Sequence, residues 1–212
     1  MGNERSEKQI VRLGEACMAM VDTETLATDT ERAAAYAIVA VRFDPQFRYN
    51  PDFQFDPALL KATSGRLFIR YIDPMELMRN PEYEWTDSTY EWTMKNNLEQ
   101  FERAKRYGIS ARQAINDLLN WMREERIDYT VSNSPSFDHA ILRHMVRTEN
   151  NDRNYGALHF RSELDVRTMR SVLELLGHDR YGPEVGQRHD PIFDCINQIA
   201  DVQRFLALTQ NS

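Results

Sequence analysis

Two carboxylates, Asp22 and Glu24, stand two residues apart, directly after the apolar run Cys17-Met18-Ala19-Met20-Val21. Alternate side chains of a β-strand share a face, so a strand through this run turns both acids to the same side. Like charges at the end of a buried strand repel each other and lose hydration. A divalent cation relieves both costs, and an all-oxygen donor set suits Mg²⁺ or Mn²⁺. Taken alone, the pair is better described as a strand ending in a solvated acidic turn.

A second pattern appears twice. Residues 134–138 read Ser-Pro-Ser-Phe-Asp and residues 190–194 read Asp-Pro-Ile-Phe-Asp. Ser134 and Asp190 have side chains that cap helix N-termini, and proline at the first helical position lacks only a donor the helix does not need. The pattern predicts helices over 135–149 and 191–208. It places Asp138 and Asp194 at the end of each first turn, where the helix dipole favours a carboxylate. Ala140-Ile141-Leu142 with Met145-Val146, and Ile196 and Ile199-Ala200 with Phe205-Leu206, carry the apolar spacing of such helices. His189 directly precedes the second cap, on a segment with Gly182, Pro183 and Gly186 that is expected to move. A histidine so placed suits a general base that takes a proton from attacking water.

In this order Asp22-x-Glu24, Phe137-Asp138 and His189-x4-Asp194 resemble the motifs of the DEDDh group of 3′–5′ exonucleases. Within that group the chain is most similar to the phage exonuclease A type and its small bacterial exoribonuclease relatives. That similarity rests on Thr89-Tyr90-Glu91-Trp92, on Ser132 to Asp138 and on Leu164-Asp165-Val166-Arg167-Thr168. The chain departs from the pattern in having one Trp near position 92, and Asp190-Pro191 after the histidine. The resemblance spans about residues 16–206 and implies a ribonuclease H-like fold. It also implies two Mg²⁺ or Mn²⁺ ions held by Asp22, Glu24, Asp138 and Asp194, with His189 as base. The implied substrate is the 3′ end of single-stranded DNA or RNA, released as nucleoside 5′-monophosphates. Thr25 and Leu26 fall where similar enzymes touch the terminal sugar and base. Asn133, Phe137 and Arg167 are further substrate-binding candidates, with Phe137 more naturally a core residue. A two-metal phosphomonoesterase or nucleotide hydrolase, and a non-catalytic binding module, are the rival readings.

The elements that must position these groups follow from apolar periodicity. Strands are expected at 16–22, 34–43 and 66–72, helices near 87–107 and 110–126, a strand at 128–133, then helix 135–149, strand 161–166 and helices 167–177 and 191–208. Ser110 with Gln113 opens the second helix as a capping box, and Gly177 closes that of 167–177. Three early strands followed by alternating helices and strands indicate an α/β sheet, antiparallel first and parallel after, flanked by helices. At 212 residues the chain suits one domain with a single well-buried core. The net charge of −7 argues against broad basic-patch binding of duplex nucleic acid. Arg103, Lys105, Arg106 and Arg112 form a modest basic cluster expected to be a solvated face. Phe47, Tyr49, Phe53 and Phe55 lie on the longest expected irregular connection, 44–65. Cys17 and Cys195 read as buried free thiols, and no run has the length of a membrane span or a signal peptide, so a cytoplasmic location is expected. A homodimer is compatible with the sequence, which leaves oligomeric state open.

Overall fold

Alternation along the first apolar run decides the architecture. In the computed structural model, which describes residues 16–44, 66–151, 154–186 and 190–209, that run is β1, Met18–Thr25. Antiparallel β2, Ala35–Phe43, sets Met18 opposite Phe43 and Glu24 opposite Ala37. Strand β3, Leu67–Tyr71, continues the antiparallel pairing. On the other side of β1, β4 (Tyr129–Ser132) and β5 (Glu163–Asp165) pair in parallel. The order β3-β2-β1-β4-β5 is the antiparallel-then-parallel sheet expected from the sequence. Parallel pairing brings the carboxyl ends of β1 and β4 to one edge, the edge where open α/β sheets bind ligands.

Seven helices flank the sheet among the described residues: α1 Pro74–Arg79, α2 Asp87–Asn96, α3 Leu98–Tyr107, α4 Ala111–Glu124, α5 Asp138–Asn150, α6 Val166–Leu175 and α7 Pro191–Thr209. The two faces of β1 feed different cores. Val21, with Tyr36 and Ile38 of β2, packs against Leu118 of α4 and Ile141 and Met145 of α5. Met18 and Met20, with Val39, pack against Met169 of α6 and Cys195, Ile199 and Val202 of α7. The strand is therefore covered on both sides.

Three expectations change. The helix expected over 87–107 is two helices, broken at Asn97 (φ −138°, ψ 31°). The Asn96-Asn97 pair has weak helix propensity, and the Asn97 side chain is buried in polar contacts described below. The helix expected from residue 135 begins at Asp138. Ser134 does not cap it: its hydroxyl pairs with that of Ser136 at 2.7 Å, and its carbonyl closes a turn onto the Phe137 N–H at 2.9 Å. Asp138 therefore lies at the start of the first turn rather than at its end. Helix α1 has no counterpart in the reading of periodicity because six residues hold too little of it. Its signal is local, with Asp73 accepting from the Met75 N–H ahead of Pro74.

Ser110 caps α4 as expected, accepting from the Gln113 N–H at 3.2 Å. Gly177, at φ 82°, closes α6, whose last residue is Leu175. Cys195 is fully buried, whereas Cys17 is half-buried and its sulfur accepts from Arg42 Nε at 2.9 Å. Arg103, Lys105 and Arg112 pair with Glu99, Glu102 and Glu149, as a solvated charged face would. The four aromatics at 47–55 lie outside the described residues. Among the described residues no helix is long and apolar enough to cross a membrane.

Candidate active site

The period-2 rule that builds the cores also builds the site. Asp22 and Glu24 continue the face of Met18 and Met20, toward α7, while Thr23 continues the face of Val21, toward α5. Asp138, the first residue of α5 and 5% exposed, comes to the strand end from that second side. Thr23 holds it twice: its N–H and its hydroxyl donate to Asp138 Oδ1 at 3.1 and 2.7 Å. Asp194 comes from α7. Asp190 caps that helix as the sequence predicts, its carboxylate accepting from the Ile192 N–H and its carbonyl from the Asp194 N–H, both at 2.9 Å. The next residue, Cys195, packs its sulfur 3.9 Å from the Met20 carbonyl, which fastens this turn to β1.

These carboxylates act electrostatically as one group. Burial, then the charges of Asp138, Glu24 and Asp194, raise Asp22 well above the usual carboxylate range, against a contact from Gln198. Glu24 is pushed up to about 8, first by burial, with Asp194, Asp138 and Asp190 adding to it and Asn97 opposing. Asp138 rises to about 6 through burial, moderated by the Thr23 bonds and by Arg167. Asp22, on the cleft, and Glu24 each keep some surface, so their desolvation comes from depth rather than complete enclosure. Buried, mutually repelling oxygen donors are the donor set of a hard divalent cation. Among the described residues no three acidic, imidazole or thiol groups stand around one point.

The break at Asn97 has a function in this site. Asn97 is 5% exposed, donates to the Tyr36 hydroxyl at 3.3 Å and stabilises ionised Glu24. One turn on, buried Gln100 accepts from the Tyr71 hydroxyl at 2.7 Å and donates to Asp190 Oδ2 at 3.3 Å. The α2–α3 junction thus braces Glu24 on β1 and the cap of α7. Sequence reasoning missed Asn97 and Gln100. Their one signal was a pair of amides interrupting a helical pattern.

The segment before His189 also differs from expectation. Gly182, Pro183 and Gly186 read as freedom to move, yet Tyr181–Gly186 is fastened to α7. Asn197 donates to the Val185 carbonyl and accepts from its N–H, at 3.0 and 2.8 Å, and the Gly182 N–H donates to Asp201 at 2.9 Å. A Cβ on Gly186, at φ 75°, would lie 2.1 Å from the Phe193 ring. Here glycine allows close approach. His189 itself lies outside the described residues.

Of the remaining candidates, Asn133 and Arg167 line the cleft that holds Asp22 and Asp194, about 900 Å³ in volume. Arg167 donates to the Asn133 carbonyl at 3.4 Å. Phe137 packs against the core, the role its sequence favours. The Thr25 hydroxyl donates to the Ala27 carbonyl at 2.8 Å. Leu26 is 2% exposed, its side chain committed to the core, which leaves little of it for a base to meet.

A family model for the 3′–5′ exoribonuclease Rv2179c-like domain matches residues 17–206. The chain belongs to this family. Among solved structures it resembles exonuclease I of Methylocaldum szegediense at 16% identity and TM-score 0.63, over 93% of this chain and 41% of that one. The E. coli exonuclease I complex with a dT13 oligonucleotide gives 15% identity and TM-score 0.64, over 92% and 43%. The nuclease domain of 3′hExo, a DEDDh family member bound to rAMP, gives 14% identity and TM-score 0.54, over 90% and 92%. This family member therefore has the ribonuclease H-like fold that its motifs implied, and it spans about two fifths of the exonuclease I chains. No curated protein sequence matches it.

Two consequences can be measured. Thr23→Val removes the hydroxyl bond to Asp138 while keeping the shape. Loss of an outer-shell partner costs about 10–100-fold in metal affinity or activity. Mn²⁺ titration should show that weakening in Thr23→Val and near-normal binding in Thr23→Ser; equal affinities would refute a holding role.

The second concerns pH. A carboxyl whose folded pKa lies above its unfolded value binds protons more tightly when folded, so stability falls as pH rises between the two. His139 and His144 are held below the usual imidazole range by burial and affect stability only below about pH 6.5. From pH 6.5 to 8, Glu24 alone removes up to about 2 kcal/mol, or on the order of 4–8 °C in melting temperature. Metal-free protein should lose this on raising the pH, and Mn²⁺ should flatten the slope. A melting temperature that rises over this window without metal would contradict the arrangement.

Proposed function

We propose that this chain is a metal-dependent 3′–5′ exonuclease that removes nucleoside 5′-monophosphates from single-stranded nucleic acid, with RNA the first substrate to test. The observation that carries this reading is the gathering of Asp22, Glu24, Asp138 and Asp194 from three elements at the carboxyl end of β1, where the charges of Asp138 and Asp194 raise both Asp22 and Glu24. Family membership supports the direction of attack, and RNA as substrate, through the exoribonuclease description that the family carries. The structures of exonuclease I with single-stranded DNA make DNA the natural comparator.

Two Mg²⁺ or Mn²⁺ ions bound by these carboxylates would activate water and stabilise the leaving oxygen. The chain's own residues do the rest. Thr23 fixes Asp138, Asn97 braces Glu24, and Asp190 starts α7 so that Asp194 faces β1. His189, directly before Asp190, takes the proton of the attacking water. Arg167, an exposed cation whose charge reaches Asp138, meets the phosphate.

The test is digestion of 5′-labelled RNA and DNA oligonucleotides with Mn²⁺. Stepwise shortening from the 3′ end, blocked by a 3′-phosphate and by chelator, is expected. Release of inorganic phosphate alone would mark a phosphomonoesterase. Absence of any reaction would leave a binding module, and cleavage of circular single strands would rule out an exonuclease.

A further inference from the structure

The cleft that holds Asp22 and Asp194 continues past them to Tyr181 and Arg180. Tyr181 is 55% exposed, high for an aromatic ring, and its backbone is fixed. Arg204 donates to the carbonyls of Tyr181 and Asp179 at 3.3 and 2.6 Å. The adjoining Gly182 is so close to Asp201 that an added Cβ would stand 3.1 Å from its carboxylate. The guanidinium carbons of Arg170 and Arg180 lie 5.0 and 5.7 Å from the Tyr181 ring centroid.

The arginines of this cleft fall into two kinds. Arg170 is buried and bound to Asp201 at 2.6 Å, so it is a fixed support for the ring. Arg180 pairs at 3.0 Å with the exposed Glu174, a surface pair of small net value that another anion can displace. Arg167 is exposed, and its guanidinium makes one long bond to a carbonyl. A rigid half-exposed aromatic beside the exchangeable guanidinium of Arg180, in one cleft with Arg167 and the catalytic carboxylates, matches one ligand chemistry. A phosphodiester strand supplies flat bases and regularly spaced anions, and single-strand binders use stacking platforms with basic grooves.

The geometry points to a second nucleotide subsite, in which Tyr181 stacks a base upstream of the 3′-terminal nucleotide and Arg180 and Arg167 bind the phosphates beside it. The inference rests on the exonuclease reading, which places the terminal nucleotide at the carboxylates. It also gives a chain of net charge −7 two cationic contacts for a polyanion, Arg167 and Arg180 on the wall of the cleft.

The test compares two substrates. A nitrophenyl ester of a nucleoside 5′-monophosphate has no upstream nucleotide, whereas a pentanucleotide fills the subsite. Tyr181→Ala should lower kcat/KM on the pentanucleotide about tenfold or more, and on the ester less than about threefold, the span expected for one stacked base. Tyr181→Phe, which keeps the stacking face, should restore most of the loss. Equal losses on both substrates, or none on the pentanucleotide, would overturn the subsite. If wild type cleaves neither substrate, the exonuclease reading fails, and the subsite is judged by fluorescence anisotropy of a labelled oligonucleotide in chelator. Binding weakened by Tyr181→Ala but not by Tyr181→Phe would support it, and equal binding by all three proteins would overturn it.

Discussion

Asp138→Asn is expected to cut turnover by about 10³-fold or more and to leave the protein folded. The large effect follows from removing one of the charges that bind the cations, whose transition-state stabilisation is worth several kcal/mol, each 1.36 kcal/mol being about tenfold in rate. The intact fold follows from the pairing at this position. The asparagine carbonyl still accepts from the Thr23 N–H and hydroxyl, so the buried donors stay satisfied. Without metal, the variant also relieves repulsion on Asp22 and Glu24, so its melting temperature should equal or exceed that of wild type. Asp138→Ala shares the loss of activity but strands both Thr23 donors, at about 1–3 kcal/mol for each group left unsatisfied. Asp22→Ala, Glu24→Ala and Asp194→Ala should also be inactive. Single-turnover assays with excess Mn²⁺, beside melting curves in chelator, check both halves. Near-normal turnover of Asp138→Asn would end the metal proposal, and a collapsed fold would show that Asp138 is chiefly structural.

What could be read in the sequence was whatever follows from short-range periodicity. Alternation along Met18–Glu24 set Asp22 and Glu24 on one face, and the order of apolar runs gave a sheet antiparallel first and parallel after. The Asp190-Pro191 cap was legible because capping is chemistry between neighbours, and Asp194 followed from it. The same logic misread Ser134-Pro135, where Ser136 offered a nearer partner and the turn delayed α5 to Asp138. Long-range partners had no local signature. Nothing in a helical pattern shows that Asn97 leaves its helix to brace Glu24 and Tyr36, 73 and 61 residues earlier in the chain. Thr23 was passed over for the reason that makes it useful, because it faces away from the two acids flanking it. Gly182 and Gly186 carried a composition shared by loose loops and tight contacts, and only the positions of Asp201 and Phe193 decide between the two.

The second large effect is expected at His189. As a general base it contributes about 10²–10⁴-fold, so His189→Ala should lower single-turnover rates by that factor. Its place in the chain supports the role. It directly precedes Asp190, whose carboxylate caps α7 and is bonded to Gln100, and whose charge adds to the raised proton affinity of Glu24. Mn²⁺ affinity should be nearly unchanged in His189→Ala, because in this mechanism the imidazole moves a proton and ligates nothing. Wild-type rates should rise with pH, and the variant should lose that limb of the profile. Rate measurements across Mn²⁺ concentration and pH separate the alternatives. A ligand role predicts full rescue by excess Mn²⁺, and a solvent-facing histidine predicts no change in rate. Either result removes His189 from proton transfer.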